Sequence, residues 1–289
     1  LKCLGEIAAW QEVSPAILVV DNNSADNDID LIAQEYPQIY VIRNPENLGF
    51  AGGTNRGIVK ALSLGKAPIL LMNNDASLDE SAVRGLLETL QNNPTIGFVA
   101  PLLYNADQPD HLLSAGGKNP VLHHQTRVLN VRTGETVQFV EFISGTVVLI
   151  RPEVFHSAGL LDEDYFFSTE MADLCMRAKR YGYVCAVDPR AKAYHAVGRS
   201  SNLRDSLYVY YIVRNRFIFI RNSPYRLKVG LFIFWTIYSL LLFVKLQLGG
   251  ESASAQAVWL GLIDGLAGRF GGQNERVLAA CARVSAAAN

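Results

Sequence analysis

Short apolar segments that alternate with helical patterns constrain the fold of this chain most. The segments are rich in Val, Ile and Leu and lie at residues 16–21, 39–43, 68–72 and 97–101. Such runs are typical of parallel strands that are covered on both faces. Helical patterns separate them, at residues 27–36, 53–64 and 79–91. The alternation predicts βαβ units and an α/β fold with an open, mostly parallel sheet flanked by helices.

The chain begins with a helical pattern, "LKCLGEIAAW", rather than with a strand. In a doubly wound sheet such a helix follows a strand. We therefore expect the first strand of the sheet to be missing here and to lie upstream of Leu1.

The composition sets the class of protein. At 289 residues, 49% of them hydrophobic, the chain is long enough for one main domain with an appendage. The net charge of -1 gives no overall attraction to nucleic acid. The four cysteines show neither metal-binding nor paired spacing, which indicates reduced thiols in a cytosolic setting.

Polar or glycine-rich turns follow three of the strands, at the edge where open α/β sheets bind ligands. One of them, "NLGFAGGTNRGI" at residues 47–58, does not have the glycine spacing of a dinucleotide-binding fingerprint. It still lets an anionic ligand approach backbone amides at a helix N-terminus. The alternative is that Gly53 and Gly57 only allow the helix to pack closely on the sheet.

Asp75 follows the third strand, within "LLMNNDAS". A carboxylate at this edge is suited to a divalent cation shared with phosphate oxygens. The alternative is a local capping role, which is common for Asp and Asn in turns.

The second half of the chain carries two acids at a predicted helix start. Glu170 and Asp173 are three residues apart, so they share a face of the first turn and are both expected to line a cleft. The alternative is that both acids only interact favourably with the helix macrodipole. Upstream, Gly145 either lets a strand pass close to a ligand or marks a bulge.

Six motifs, in order, resemble the inverting glycosyltransferases of family 2, in the group that contains bacterial rhamnosyltransferase-like enzymes. They cover residues 17–201 and read "VVDNNSADND", "NLGFAGGTNRGI", "LLMNNDAS", "FISGTVVLIRPEVFHSAGLLDEDYFF", "EMADLCMRAKRYGY" and "AYHAVGRSS". The resemblance implies a GT-A (Rossmann-like) fold, a nucleoside-diphosphate sugar donor and a divalent cation, Mn²⁺ or Mg²⁺.

The resemblance also implies roles for individual residues. Asp75 stands for the last acid of the family's DxD motif, and His195 would complete the metal site. Asn73 occupies the first position of that motif, where many members carry Asp, which implies weaker metal binding. The residues implied to contact the donor are Asp21, Asn22, Asn47, Gly49, Asn55, Asn74, Arg199 and Ser200. Those implied on the acceptor side are Gly145 and Asp164.

The family's catalytic site usually reads as two adjacent acids, of which the second is the base. Here the pair is Glu170 and Met171, and methionine cannot accept a proton. We therefore expect Glu170 to be the general base, with Asp173 holding the acceptor or the helix start.

The composition changes after residue 201. Between residues 202 and 228 six basic residues stand against one acid, and an uncharged apolar run of 16 residues follows at 229–244. This run is shorter than the roughly 20 residues of a spanning helix, so an interfacial or re-entrant helix is expected, with a buried helix as the alternative. A second amphipathic helix is predicted to end at Gly271 and Gly272. The expected division is a catalytic domain at 1–201, with donor and acceptor halves at 1–101 and 102–201, and a helical membrane-associating region at 202–289.

The sequence thus predicts an inverting glycosyltransferase at the cytoplasmic face of the plasma membrane. Its expected acceptor is a glycan or polyprenyl-diphosphate-linked hydroxyl in cell-surface polysaccharide synthesis, and no nucleic acid partner is expected. Two alternatives stay open. One is a nucleotidyltransferase, and the other is a non-catalytic sugar-nucleotide-binding or membrane scaffold protein, for which Met171 and Asn73 argue.

Overall fold

The computed structural model describes residues 2–24, 28–131, 137–196 and 202–288. The helices in these ranges are α1 (Lys2–Ala8), α2 (Asp28–Glu35), α3 (Gly49–Leu64), α4 (Glu80–Asn92), α5 (Pro152–Ala158), α6 (Glu170–Lys179), α7 (Asn202–Asn222), α8 (Lys228–Leu248), α9 (Ser252–Ala267) and α10 (Asn274–Ala288). The strands are β1 (Leu18–Asp21), β2 (Tyr40–Arg43), β3 (Ile69–Met72), β4 (Ala76–Leu78), β5 (Ile96–Asn105), β6 (Leu112–Ser114), β7 (Gln138–Val140), β8 (Val147–Ile150) and β9 (Val184–His195).

The strands form two sheets within the described ranges. β1 and β2 pair in parallel. The other seven form one sheet with the order β3-β8-β5-β9-β4, in which β6 pairs with β5 and β7 with β9. Only β5 and β9 are parallel neighbours in this larger sheet as described, and its other pairs are antiparallel. The expectation of a mostly parallel sheet is therefore wrong, because an apolar run that is buried on both faces does not encode strand direction.

Both faces of the larger sheet are covered, as the apolar runs predict. Phe98 and Val99 are consecutive on β5 and point to opposite faces. Phe98 packs in a cluster with residues of α3, α5 and α6, whereas Val99 packs with residues of α4. The sheet thus separates two hydrophobic cores, and the turns at its edge are held between rigid layers.

The C-terminal helices pack on the part of the chain that precedes them. Residues of α7, α8 and α9 share a buried cluster with Val121, Tyr165 and Ala172. α9 ends before Gly268, which adopts a left-handed C-cap (φ 72°), so it ends earlier than the predicted Gly271 and Gly272. α10 was not predicted from the sequence.

α8 is the one helix in the described ranges that is long and apolar enough to cross a membrane. It is 21 residues long because flanking residues extend the 16-residue run at both ends. Only 11% of its most apolar 18-residue segment is buried. The alternative of a buried core helix is therefore wrong.

Candidate active site

Asp75 and His195 meet at the edge of the larger sheet. β4 pairs antiparallel with β9, which sets Ala76 opposite His195. The His195 Nε2 atom lies 3.1 Å from the Asp75 Oδ1 atom, and the two side chains are 22% and 38% exposed. Residues far apart in sequence are thus brought into contact, and both side chains remain partly accessible to solvent.

This pair fits a divalent cation in its chemistry. A carboxylate oxygen and an imidazole nitrogen are both ligands for Mn²⁺, and Mg²⁺ takes carboxylate and phosphate oxygens. No group of three or more His, Cys, Asp or Glu side chains gathers as a metal cage among the residues that the structure describes. Protein ligands alone would leave coordination positions open, and the oxygens of a diphosphate are suited to fill them.

Glu170 is the most unusual polar residue of the site. It begins α6 and is only 6% exposed. Its Oε2 atom is buried without a hydrogen-bond partner among the described residues. Burial raises the pKa of Glu170 to about 7, against the opposing effect of backbone N–H groups at the start of α6. A buried, unpaired carboxylate with a raised pKa is typical of a functional group.

The backbone just before Glu170 is strained. Phe166, Ser168 and Thr169 have φ values of 60°, 69° and 76°, a region that residues other than glycine rarely adopt. Strain of this kind clusters at functional sites, where surrounding contacts hold it in place.

The expectation that Glu170 and Asp173 both line a cleft is wrong, because both residues are buried. The side chain of Asp173 is fully buried and accepts a hydrogen bond from Arg177 Nε at 2.7 Å and another from the Tyr165 hydroxyl at 3.3 Å. Arg177 also donates to the carbonyl oxygens of Ala158 and Leu160. Burial raises the pKa of Asp173, and Arg177 opposes this rise. Asp173 therefore holds Arg177, which ties α6 to α5 and to the loop after it.

Gly145 lies in a turn before β8, so neither a strand position nor a bulge describes it. A Cβ atom on Gly145 would lie 2.5 Å from Phe50 Cζ and 3.4 Å from Met171 Cγ. The glycine thus accommodates this chain's own phenylalanine. In the same turn, the Thr146 carbonyl accepts a hydrogen bond from the Asn73 N–H at 2.9 Å. The turn therefore connects the segment that carries Asp75 with the helix that carries Glu170.

Asn22 and Asn47 organise the start of α3. The Asn22 Nδ2 atom donates to the Gly49 carbonyl at 2.8 Å and to Asn47 Oδ1 at 3.1 Å. Asn22 Oδ1 accepts from the Leu48 N–H, and Asn47 Oδ1 accepts from the Gly49 N–H. At the end of β1, Asp21 accepts a hydrogen bond from the Ser24 N–H at 3.0 Å.

Gly49 begins α3, so the helix starts earlier than the predicted residue 53. Its φ is +72°, and an added Cβ atom would lie 2.3 Å from the Phe166 carbonyl oxygen. The glycine-rich turn thus packs against the strained loop before Glu170. The alternative interpretation, close packing of the helix on a sheet at Gly53 and Gly57, is observed at Gly57, where an added Cβ atom would lie 3.1 Å from Val20 Cγ2 on β1.

Asn55 does not face an open cleft. It is buried, and its amide donates to the Leu161 carbonyl and to Glu163 Oε1, both at 2.9 Å, while its oxygen accepts from the Leu161 N–H. The implied donor contact is therefore wrong for Asn55, which joins α3 to the loop ahead of α6.

Other implied site residues stay predictions. Asn74 is exposed beside Asp75. Asp164 is exposed too, and partial desolvation together with Asp162 raises its pKa. Arg199 and Ser200 lie outside the described residues.

Sequence reasoning missed two residues of α7 that contact the loop before Glu170. Arg214 and Asn215 are both fully buried, and both donate hydrogen bonds to backbone carbonyls of that loop. The available signal was a charged and an amide residue side by side within a helix rich in aromatic and aliphatic residues.

Comparison with known proteins points to one family. Residues 3–141 match the family model described as Glycosyl transferase family 2. The chain is similar to this family over that range. This glycosyltransferase is 25% identical over 278 residues to the dTDP-rhamnosyl transferase RfbF of Shigella flexneri. The alignment covers 92% of this chain and 91% of that protein. It is 24% identical over 222 residues to an N-acetylglucosaminyl-diphospho-decaprenol L-rhamnosyltransferase of Mycobacterium tuberculosis, with 69% and 72% covered.

Solved structures support the fold of the glycosyltransferase. S. aureus TarS 1-349 aligns with a TM-score of 0.54 at 13% identity, over 91% of this chain and 75% of that chain. GalNAc-T7, crystallised with UDP, GalNAc and Mn²⁺, aligns with a TM-score of 0.54 at 16% identity, over 73% of this chain but only 44% of that chain. The fold is a GT-A-like α/β fold, which confirms the fold class predicted from the sequence. The nucleotidyltransferase and scaffold alternatives lose their support.

Proposed function

We propose that this glycosyltransferase moves a sugar, with inversion, from a nucleoside-diphosphate donor to a hydroxyl of a glycan carried on a lipid diphosphate. The observation that carries the proposal is the turn at residues 145–146, which is hydrogen-bonded to Asn73, two residues before Asp75, and lies beside Met171, the residue after Glu170. The turn thus connects the segment of the proposed leaving-group site with the helix start of the proposed base.

The names of the two rhamnosyltransferase relatives supply the first substrates to test. They favour dTDP-rhamnose as the donor and an N-acetylglucosaminyl-diphospho-lipid as the acceptor.

The donor side would use Asp75 and His195 to hold Mn²⁺ or Mg²⁺. When bound, such an ion neutralises charge that develops on the departing diphosphate. Both side chains are partly accessible to solvent, which supports access by a diphosphate.

The acceptor side would use Glu170 as general base. The acceptor hydroxyl transfers its proton to the free carboxylate oxygen, and the acceptor oxygen forms a bond to the anomeric carbon. The bond from that carbon to the diphosphate oxygen breaks on the opposite face, and the nucleoside diphosphate leaves. A base with a pKa of about 7 is well matched to this task at neutral pH.

The membrane side would use the outer face of α8. One side of α8 packs on the protein through residues such as Trp235, Leu242 and Leu246. The opposite side exposes large apolar side chains at Val229, Ile233, Phe234, Ile237, Leu240, Leu241, Val244 and Leu248. A helix packed along its length favours lying in the membrane interface over crossing the bilayer. The four cysteines are free, which is consistent with the cytoplasmic face of the plasma membrane and a role in cell-surface polysaccharide synthesis.

The test is a panel of nucleoside-diphosphate sugars, assayed by chromatography for release of the nucleoside diphosphate. Each donor is incubated with an N-acetylglucosaminyl-diphospho-lipid in detergent micelles, with MnCl₂ or with EDTA. We expect acceptor-dependent release from dTDP-rhamnose with Mn²⁺, and product of inverted anomeric configuration. Retained configuration, or no acceptor-dependent release from any donor, would contradict the proposal.

A further inference from the structure

The C-terminal helix α7 carries a charged and an amide residue that are completely buried. Arg214 and Asn215 are adjacent, and neither side chain is accessible to solvent. Burial lowers the pKa of Arg214, although nearby Tyr210 and Tyr211 oppose this effect. Because an unpaired buried charge is strongly unfavourable, the contacts of this pair show what it is built to hold.

Those contacts converge on the loop before Glu170. The Asn215 Nδ2 atom lies 3.1 Å from the carbonyl oxygen of Tyr165 and 2.7 Å from those of Phe167 and Ser168. Arg214 Nη2 donates to the Tyr165 carbonyl at 2.8 Å. It also donates to the carbonyl of residue 164 at 3.0 Å.

The orientation of the Asn215 amide is itself fixed. Arg214 Nε donates to Asn215 Oδ1 at 2.9 Å, so the Asn215 Nδ2 atom is directed to the loop carbonyls. Arg214 Nη1 donates to the Gly271 carbonyl, and the Gly271 N–H donates to the carbonyl of Asp164 at 3.0 Å. The segment after α9 thus supports the same loop from a further direction.

The loop held in this way is the strained one. Phe166, Ser168 and Thr169 all have positive φ values, and Thr169 directly precedes Glu170. Strained conformations persist only where surrounding contacts determine them. The carbonyls of Phe167 and Ser168 are fixed by Asn215, and this gives a physical reason for the strain to persist.

The same loop reaches the donor-side segment. The Phe166 ring stacks on Tyr211 with centroids 5.4 Å apart. Cβ atoms on Gly49 and Gly272 would lie within 2.6 Å and 2.8 Å of this ring. The Ala51 N–H donates to the Phe166 carbonyl at 3.3 Å. The loop is therefore packed between the start of α3 and the C-terminal segment.

We propose that Arg214 and Asn215 are positioning residues for Glu170, an inference that rests on the proposed role of Glu170 as base. They hold residues 164–168 in the strained conformation that begins α6 at Glu170 and leaves the Glu170 Oε2 atom without a hydrogen-bond partner among the described residues. The C-terminal helical region is thus part of the catalytic apparatus.

The test compares two variants of α7. Asn215→Leu keeps the approximate size of the side chain but removes the donors to the loop, and Phe217→Leu perturbs the same buried helix without a hydrogen bond to the loop. For each variant, kcat, the donor KM and the pH profile of kcat/KM are measured with the holoenzyme and the acceptor lipid, together with the melting temperature. Asp173 is the charged group that acts on Glu170 in the structure, and neither substitution alters it.

We expect Asn215→Leu to lower kcat by about 10-fold to 100-fold while the donor KM changes by less than about twofold. The acid limb of its pH profile of kcat/KM should move to lower pH, because a relaxed loop exposes Glu170 to water and lowers the pKa of Glu170. Phe217→Leu should lower the melting temperature with an unchanged acid limb. If Asn215→Leu does not fold, Arg214→Lys is tested instead, because lysine keeps the charge but not the several N–H donors of the guanidinium. Arg214→Lys should shift the acid limb of the pH profile in the same direction.

Three results would overturn the inference, and they have different causes. An Asn215→Leu enzyme with wild-type kcat and pH profile, or a Phe217→Leu enzyme with the same shift, would show that the loop contacts do not position the base. Wild-type activity of Glu170→Gln would show instead that the proposed base itself is wrong.

Discussion

Glu170→Gln is expected to make the protein more stable and the enzyme almost inactive. Glutamine keeps the shape of the protonated acid but cannot ionise or accept the acceptor's proton. In the folded protein the pKa of Glu170 is raised from 4.5 to about 7 by burial. Because the folded state binds the proton more tightly, ionisation of Glu170 destabilises the fold.

The cost of this ionisation depends on pH in a defined way. It is absent below pH 4.5, grows between pH 4.5 and about 7, and is constant at higher pH. A difference of about 2.5 pKa units corresponds to about 3 kcal/mol in the free energy of unfolding. Glu170→Gln should therefore gain up to about 3 kcal/mol at pH 8 and almost nothing near pH 4.5.

The assay combines urea unfolding at pH 5 and pH 8 with the pH profile of kcat/KM. For the wild type, kcat/KM should rise with pH through about 7 as the base ionises, and Glu170→Gln should lose about 100-fold to 10,000-fold. Glu153→Gln is the matched control, because Glu153 is an exposed acid in the first turn of α5. Equal stability of wild type and Glu170→Gln at pH 8, together with retained activity, would refute this reasoning.

Three further substitutions test other parts of the structure. Asp173→Ala should lose about 3 to 5 kcal/mol of unfolding free energy in urea titrations, because it leaves a partly buried arginine without its carboxylate; an unchanged midpoint would show that this ion pair contributes little. Gly49→Ala and Gly182→Ala both place alanine at positive φ, but only the former meets a carbonyl oxygen. Gly49→Ala should therefore cost about 1 to 3 kcal/mol more by the same measurement, and equal losses would argue against the close contact. Leu241→Asp on the outer face of α8 should weaken liposome binding in flotation assays by about 10-fold or more, whereas Val59→Asp, at an exposed site on α3, should not; equal flotation would contradict the membrane proposal.

The elements that could be predicted from the sequence are those with a clear local pattern of apolar residues. The strands β1, β2, β3 and β5 appear where apolar runs predict them, and α2 and α4 begin and end within a residue or two of their patterns. Strand direction could not be predicted from the sequence. β8 lies antiparallel between β3 and β5, and this arrangement depends on tertiary contacts rather than on a local sequence pattern.

The candidate site was predictable where the family motif fixes a residue, and less so where packing decides. Asp75 and His195 meet as the resemblance implied. The spacing predicted Asp173 as a cleft residue, but a partly buried arginine on the same helix sets its orientation. The motif implied a donor contact for Asn55, but partners more than 100 residues away in sequence set its orientation. The Arg214–Asn215 contacts with the loop before Glu170 join segments about 50 residues apart, so tertiary structure alone reveals them.

Binding of Mn²⁺ in the presence of dTDP, measured by titration calorimetry, tests the donor site most directly. The affinity of the wild type is compared with those of His195→Ala and Asp75→Asn, and Glu153→Gln serves as a control. If the two side chains in contact at 3.1 Å hold the cation, His195→Ala and Asp75→Asn should each weaken Mn²⁺ binding by at least about 10-fold. The Glu153→Gln control should bind Mn²⁺ with the affinity of the wild type. Mn²⁺ affinities equal to that of the wild type in both site variants would contradict the proposed donor site.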